Sequence, residues 1–245
     1  KFKLTSHWTW VGFDNYLRIF NDGGFVHAFW YTALFALVSL VIINVFAFMV
    51  AYALTQGIKG SNLFRTVFFM PNLIGGIVLG YIWSTLIDGV LIRFGTALAL
   101  NTKAGFWGLI ILLSWQQIGY MMIIYIAGLQ NVPDDLIEAA EIDGAAKWDI
   151  LWKIRVPMVM SSITICVFLT LTNSFKLFDQ NLALTGGDPN HATEMLALNI
   201  YQTFYARAGM QWKGYGQAKA VIFCVLVIII SLVQLKATRS KEVQQ

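Results

Sequence analysis

Residues 132–157 read VPDDLIEAAEIDGAAKWDILWKIRVP, a charged, helix-patterned stretch between long apolar segments. Pro133 followed by Asp134 and Asp135 has the composition of a helix start, and Asp135 with Glu138 has the spacing of a capping box. Leu136, Ile137, Ala139 and Ala140 give this helix an apolar stripe of small residues, while Asp134, Glu138 and Glu141 form an acidic side. Gly144 is placed to stop it, because a left-handed helix end favours a residue without Cβ. Trp148, Leu151, Trp152 and Ile154 then recur at helical spacing with Lys147, Lys153 and Arg155 between them, which predicts a second amphipathic helix. Pro157 marks the entry into the next apolar segment. A solvated connector needs neither two amphipathic helices joined by a glycine nor alanines on a face that lets another chain approach closely.

The rest of the chain is written for lipid. Of its 245 residues 58% are hydrophobic and 12% charged, with a mean hydropathy of +0.65; a soluble domain is about a quarter charged. The net charge of +4 suits a membrane protein beside anionic lipid and gives no support for nucleic-acid binding. Cys166 and Cys224 sit inside apolar runs and read as buried thiols, and His7, His27 and His191 are too scattered for a metal site. The chain has no initiator Met and no signal-peptide pattern at Lys1, so a missing start is expected.

In chain order, residues 1–25, with Trp8, Trp10, Phe13 and Tyr16, read as an interfacial, external segment. A first crossing runs from about Val26 to Leu54, since about 20 apolar residues span a bilayer core, and Gln56 to Arg65 is a polar loop. The second crossing, Val67 to Ile87, is expected as one helix containing Pro71, Asn72 and Gly75. Gly76 and Gly80 within it have small-xxx-small spacing, for close helix contact or simply for a kink. Asp88 to Lys103 is a loop. The third crossing, Phe106 to Leu129, carries Ser114, Trp115, Gln116, Gln117 and Tyr120 at a depth where polar groups need a partner or a wet path.

The fourth crossing, Met158 to Leu177, ends in TNSFKLFDQN, which brings Asn173, Ser174, Lys176 and Asp179 to or into the membrane. Lys176 and Asp179 have the spacing of a helical ion pair. LTGGDPN at 184–190 is turn-type, and TEMLALNIYQTFY at 193–205 has a helical pattern within a segment that stays polar to Lys219. A last crossing, Ala220 to Leu235, precedes the basic KATRSK. The predicted fold is therefore an all-α, polytopic membrane helix bundle: one domain over 26–245 with five transmembrane helices. Lys59, Arg65, Lys236, Arg239 and Lys241 bias the orientation toward a cytoplasmic 132–157. No GxxxxGK[ST], HExxH or Ser/His/Asp arrangement is present, so the chain does not read as an enzyme, and any ATP hydrolysis belongs to another chain.

Glu138-Ala139-Ala140, then Asp143-Gly144-Ala145, then Ile154 and Pro157 closely resemble the EAA motif of permease subunits of binding-protein-dependent ABC importers. WVGFDNYLRIF at 10–20, FRTVFFMPNLI at 64–74, SFKLFDQNLALTGGDP at 174–189 and the LKATRSK ending resemble the maltose and multiple-sugar branch, in family order over nearly the whole chain. Leu151 replaces a phenylalanine common in the motif. A second proline soon after Pro157 is absent, with Ser161 and Ser162 nearby, which predicts a straighter start to the fourth crossing. The family has one more helix before the WVGFDNY-like segment, so six or more crossings are expected in the full subunit.

The resemblance implies that residues 132–157 are a cytoplasmic coupling element seated in a groove of an ATPase. Glu138 would face basic groups, Ala139 and Ala140 would allow close seating, and Gly144 would supply the bend; Ala145 belongs to the same coupling set, as does Asp143, which could cap the second helix or bind the partner, capping being slightly preferred. It also implies a substrate path between Gln116, Gln117 and Tyr120 on one side and Asn173, Ser174 and Lys176 on the other, with interhelical hydrogen bonding an equally open role for each. The implied setting is the bacterial cytoplasmic membrane. The implied partners are a homologous second permease, two ATPases carrying ATP and Mg, an extracellular or periplasmic binding protein, a carbohydrate and lipid; the chain itself needs no cofactor. Glycerol phosphate or another solute is the alternative cargo. An ion-coupled secondary transporter is the alternative mechanism, and it leaves the motif unexplained.

Overall fold

A computed structural model describes residues 10–239; His7 and Trp8 of the expected interfacial segment and Lys241 of the basic ending lie outside them. A short helix, α1 (Asp14–Phe20), is followed by α2 (Gly23–Leu54), whose first amides, those of Gly24 and Phe25, donate to the Asp22 carboxylate at 3.0 and 3.3 Å. The expected second crossing is two helices, not one. α3 (Ser61–Phe69) begins inside the expected loop, tightens into a 3-10 turn at Met70–Leu73 and ends in extended backbone at Ile74 and Gly75, after which α4 (Gly76–Leu91) starts afresh. Pro71 has no N–H to continue α3.

The third crossing, α5 (Thr102–Gln130), is capped by the Asn101 side chain. The charged stretch forms α6 (Asp134–Ile142) and α7 (Lys147–Met158). The start of the fourth crossing is sharply bent rather than straight: α7 meets α8 (Met160–Phe175) at 70°. Pro157 offers no N–H to the Lys153 carbonyl, and the turn before it widens to a π-type turn at Leu151–Arg155. The bend also seats α8 on α5, where a Cβ on Gly128 would come within 2.3 Å of the Ser162 hydroxyl. At 16 residues, or about 24 Å, α8 is short of the roughly 30 Å hydrocarbon core. α9 (Asp179–Leu184), beyond a break at Lys176–Phe178, carries the chain further. α10 (Leu196–Tyr201) passes into a π-type turn at Gln202–Ala206. α11 (Met210–Arg239) begins ten residues before the expected crossing and so includes Lys219.

Contacts set the directions. Tyr31 meets Phe106 and Phe48 meets Tyr125, so α2 and α5 run side by side in the same sense. The Tyr125 hydroxyl donates to Asn44 Oδ1 at 2.7 Å, and Asn44 Nδ2 donates to Thr170 Oγ1 at 3.2 Å, tying antiparallel α8 to both. The core is built around α5, through Leu109, Leu112, Leu113, Met121 and Met122, with Phe35 and Ile43 of α2. Of the two roles open to Gly76 and Gly80, close contact is the one observed. A Cβ on Gly80 would come within 2.5 Å of the Ala183 Cβ, and one on Gly76 within 2.8 Å of the Asp179 Cβ, so α4 and α9 lie parallel with little between them.

Gly119 of α5 lies directly under the α3 backbone: a Cβ there would sit 1.9 Å from the Phe68 carbonyl oxygen. Gly119→Ala is expected to push α3 off α5 and lower the thermal midpoint of the detergent-solubilised chain. Gly89→Ala, in α4 with nothing within 4 Å of the added Cβ, is expected to be neutral or to stabilise by up to about 1 kcal/mol. Equal midpoints for the two variants would contradict this packing of α3.

Candidate functional site

The break at Pro71–Gly75 and the break at Lys176–Phe178 both come to the middle of α5, where one side chain joins them. Gln116 Nε2 donates to the Ile74 carbonyl at 3.2 Å, and Gln116 Oε1 accepts from Gln180 Nε2 at 2.7 Å. Gln116 is buried and acts as a strut. Non-helical backbone at membrane depth persists where protein satisfies it or where it lines a cavity, and both conditions hold here.

A cavity of about 270 Å³ opens beside the strut, lined by Gln117, Asn173, Lys176, Phe178, Asp179 and Gln180 with Leu113 and Leu177. Asn173 Nδ2 donates to Gln117 Oε1 at 3.2 Å, joining α5 to α8 across its wall. Of the six residues picked from sequence, Gln117, Asn173 and Lys176 are brought together here. Gln116 stands behind them. Ser174 is fully buried with no hydrogen-bond partner for its hydroxyl among the described residues, and Tyr120 packs on the core beside Phe69. Lys176 and Asp179 are not a helical pair, because α8 ends at Phe175 and α9 begins at Asp179. Both still line the cavity, one charge of each sign.

At one end of the bundle α6 and α7 form a hinged pair. Gly144 has φ +78° and nothing within 4 Å of a Cβ, so glycine is required there by backbone conformation and not by space. The expected capping box is not made: Pro133 occupies the N-cap position, leaving Asp134 and Asp135 in the first turn, where they face the positive end of the helix dipole. Asp143 does not cap α7 either, since Ala146 holds that position without a side-chain bond. Ile137, Ile154 and Met158 pack on the core, and the Arg155 guanidinium lies 5.4 Å from the Tyr52 ring. Outward stand Ile142 (86% exposed), Trp148 (68%) and Trp152, with Glu138, Ala139 and Asp143 also exposed and Ala140 and Ala145 half-buried. The pair thus presents an apolar surface edged by carboxylates.

At the opposite end lies a charged cluster that hydropathy reading missed. The Lys219 ammonium is fully buried, 2.8 Å from Asp22 Oδ2, and donates to Asn199 Oδ1 at 2.9 Å and Thr203 Oγ1 at 3.1 Å. The Tyr215 hydroxyl donates to the same Asp22 oxygen at 2.8 Å. Burial works against the Asp22 carboxylate, but the hydrogen bonds from Lys219 and Tyr215, the Lys219 charge and the Phe25 N–H together hold its pKa below the usual value. The only sequence signal was a lysine immediately before an apolar run. Among the described residues no group of three His, Cys, Asp or Glu is placed to hold a metal ion.

Residues 43–239 match the family described as binding-protein-dependent transport system inner membrane component. The chain is 43% identical over 242 residues to a probable starch degradation products transport system permease, AmyD of Thermoanaerobacterium thermosulfurigenes, covering 96% of this chain and 82% of the relative. It is 32% identical to the multiple sugar-binding transport system permease MsmF of Streptococcus mutans, over 98% and 85% of the two chains. A chain in the crystal structure of a bacterial ABC transporter involved in the import of the acidic polysaccharide alginate shares the fold, with a TM-score of 0.81 at 19% identity over 96% of this chain and 85% of that one.

Gln116→Leu leaves the Ile74 carbonyl and the Gln180 amide without their partner, a cost of about 1–3 kcal/mol. Its thermal midpoint in detergent is expected to fall well below that of Gln117→Leu; equal midpoints would erase the distinction between strut and wall. The Asp22 pair sets a pH dependence. Because the folded-state pKa is depressed, its stabilisation is present above the unfolded value and is lost as pH falls through the folded one. Thermal scans should therefore show the wild type losing stability below about pH 4, and Asp22→Asn should be weaker at neutral pH and lack that acid limb.

Proposed function

The chain belongs to the family of binding-protein-dependent transport system inner membrane components, and from that premise we propose that it forms half of the translocation path of an ATP-driven carbohydrate importer. As a member of that family it is a multi-pass membrane transport component and not an enzyme. The observation that carries the carbohydrate reading is the cavity at the two breaks. Its wall is rich in amides, its two charges are of opposite sign, and Phe178 gives it an aromatic side. Sugars present paired donors and acceptors on their hydroxyls and apolar faces on their rings, which amides and an aromatic ring match. A phosphate dianion would want excess positive charge, and Asp179 offsets Lys176, so glycerol phosphate is the poorer fit. The names of the starch-product and multiple-sugar relatives point the same way.

In this reading Gln117, Asn173 and Lys176 meet the sugar, with Gln180 added from the structure, while Gln116 holds the cavity open and Tyr120 and Ser174 support it. The exposed face of α6 and α7 seats in an ATPase subunit through Glu138, Ala139, Ala140, Asp143, Gly144 and Ala145. The partners are a homologous second permease, two ATPases carrying ATP and Mg, and an external binding protein that delivers the sugar. ATP binding and hydrolysis on the ATPases then bias the cavity between two faces of the membrane.

The reading is tested by reconstituting the full assembly and measuring ATPase stimulation by binding protein loaded with neutral oligosaccharides or with glycerol phosphate. Stimulation by neutral sugar is expected, and stimulation by glycerol phosphate alone sinks the carbohydrate assignment. Gly144→Val forces a β-branched residue into left-handed backbone at about 1–3 kcal/mol of strain. Uptake by that variant is expected to fall while ATP hydrolysis continues; normal uptake would remove the coupling role of the hinge.

A further inference from the structure

Phe178 borders two cavities. On one side it closes the amide-lined cavity; on the other it lines a second, of about 370 Å³, with Tyr201, Phe204, Tyr205 and Gln217. The rings are ranged in sequence. Phe178 and Tyr201 have centroids 5.1 Å apart, Tyr201 and Tyr205 5.0 Å, and Tyr205 and Phe204 4.8 Å. None of the four belongs to the packed core. Tyr201 is 41% exposed and Tyr205 69%, large aromatic area that the fold does not use.

The local backbone is shaped to present these rings. The π-type turn at Gln202–Ala206 follows directly on α10, and such turns are frequent at functional sites. Phe204 is seated by close approach: a Cβ on Gly216 of α11 would lie 3.0 Å from the Phe204 Cβ. Thr203 in the same turn is held by the buried Lys219 ammonium. The turn is therefore anchored on its inner side and aromatic on its outer one. α10 and the start of α11 belong to the end of the bundle away from α6 and α7, so the row of rings leads from that end to the break at Lys176–Phe178.

We propose that Tyr201, Tyr205 and Phe204 form a second sugar subsite, an aromatic ladder on which further rings of an oligosaccharide stack while the leading unit occupies the cavity at Gln117 and Asn173. This rests on the carbohydrate reading and adds a length preference to it. The C–H face of a pyranose is apolar and suits the electron-rich face of an aromatic ring, while its hydroxyl edge can bond the Gln217 amide and the tyrosine hydroxyls. The two cavities meeting at Phe178 give room for a chain, and a single short sugar needs only the first of them.

The experiment uses the complete assembly in proteoliposomes with saturating loaded binding protein, and compares maximal uptake of maltose with that of maltopentaose. Tyr201→Leu and Tyr205→Leu are expected to slow maltopentaose about three- to tenfold, the loss of one stacking contact, and maltose by a smaller factor. Tyr201→Phe, which keeps the ring, should restore most of the maltopentaose rate. Equal slowing of both sugars, or of neither, overturns the ladder. So does loss of the second permease from the purified variants, which would assign the rings to a subunit interface. Failure of the wild-type assembly to take up either sugar sinks the carbohydrate reading and the ladder with it, whereas wild-type uptake with unaffected variants sinks the ladder alone.

Discussion

Two membrane helices are interrupted at the same depth, and the side chain of Gln116 holds the interruptions together. In hydrocarbon a backbone carbonyl without a partner costs several kcal/mol, so a broken helix needs an internal donor beside the break. Gln116 supplies that donor to Ile74 and with its other end accepts from Gln180, binding the α3–α4 break to the α8–α9 break. Gly119, three residues on, lets the α3 backbone come close enough for the first of these bonds. Gln117 is about 100° around the helix from Gln116 and faces the cavity. The opening exists because its neighbour keeps the surrounding backbone satisfied.

That division of labour explains what the sequence could reveal. A polar band at Ser114 to Tyr120 inside an apolar helix is conspicuous, and so is TNSFKLFDQN at the end of the next upward segment. Which glutamine is strut and which is wall is set by Ile74 and Gln180, on other helices, and two adjacent residues of identical chemistry carry no local mark of it. The second crossing was legible as an apolar length but not as two pieces. Pro71 and the glycines are compatible with a kink, and only α9 packed against Gly76 and Gly80 makes a break the stable outcome. The capping box failed for a local reason, since its spacing is right but Pro133 takes the capping position. Lys219 was invisible for a distant one. A charge inside a span is improbable on hydropathy, and Asp22, which makes it tolerable, lies at the far end of the chain.

The Asp22–Lys219 pair is costly to break, because removing either partner strands a buried charge, and it also acts as a fixture. Burying two opposite charges roughly cancels desolvation against attraction, and the pair's value lies in the geometry it imposes. Asp22 caps α2 through the Gly24 and Phe25 amides, and Lys219 reaches Asn199 of α10 and Thr203 of the π-type turn. One carboxylate and one ammonium therefore lock α2, α10 and α11 to each other at a single end of the bundle. The aromatic ladder projects from this locked region.

In the proposed coupling, the opposite end is the one that takes the load. α6 and α7 are anchored inward by Ile137, Ile150, Ile154, Met158 and Arg155, while Trp148, Trp152 and Ile142 stay exposed. α7 continues through the 70° bend into α8, and α5 leads into α6, so a load on this pair enters the two helices that carry Gln117 and Asn173. Near the bend the two helices touch through Gly128 against Val159 and Ser162, with no side chain on the glycine to take up displacement. Lys219 fixes α2, α10 and α11 at the far end, whereas α5 and α8 are bridged at cavity depth by the Asn173–Gln117 hydrogen bond, next to the break at Lys176–Phe178 where α8 ends. That place is a wall of the cavity, and in the proposed reading a small displacement there would break the Asn173–Gln117 bond and free both amides for the sugar.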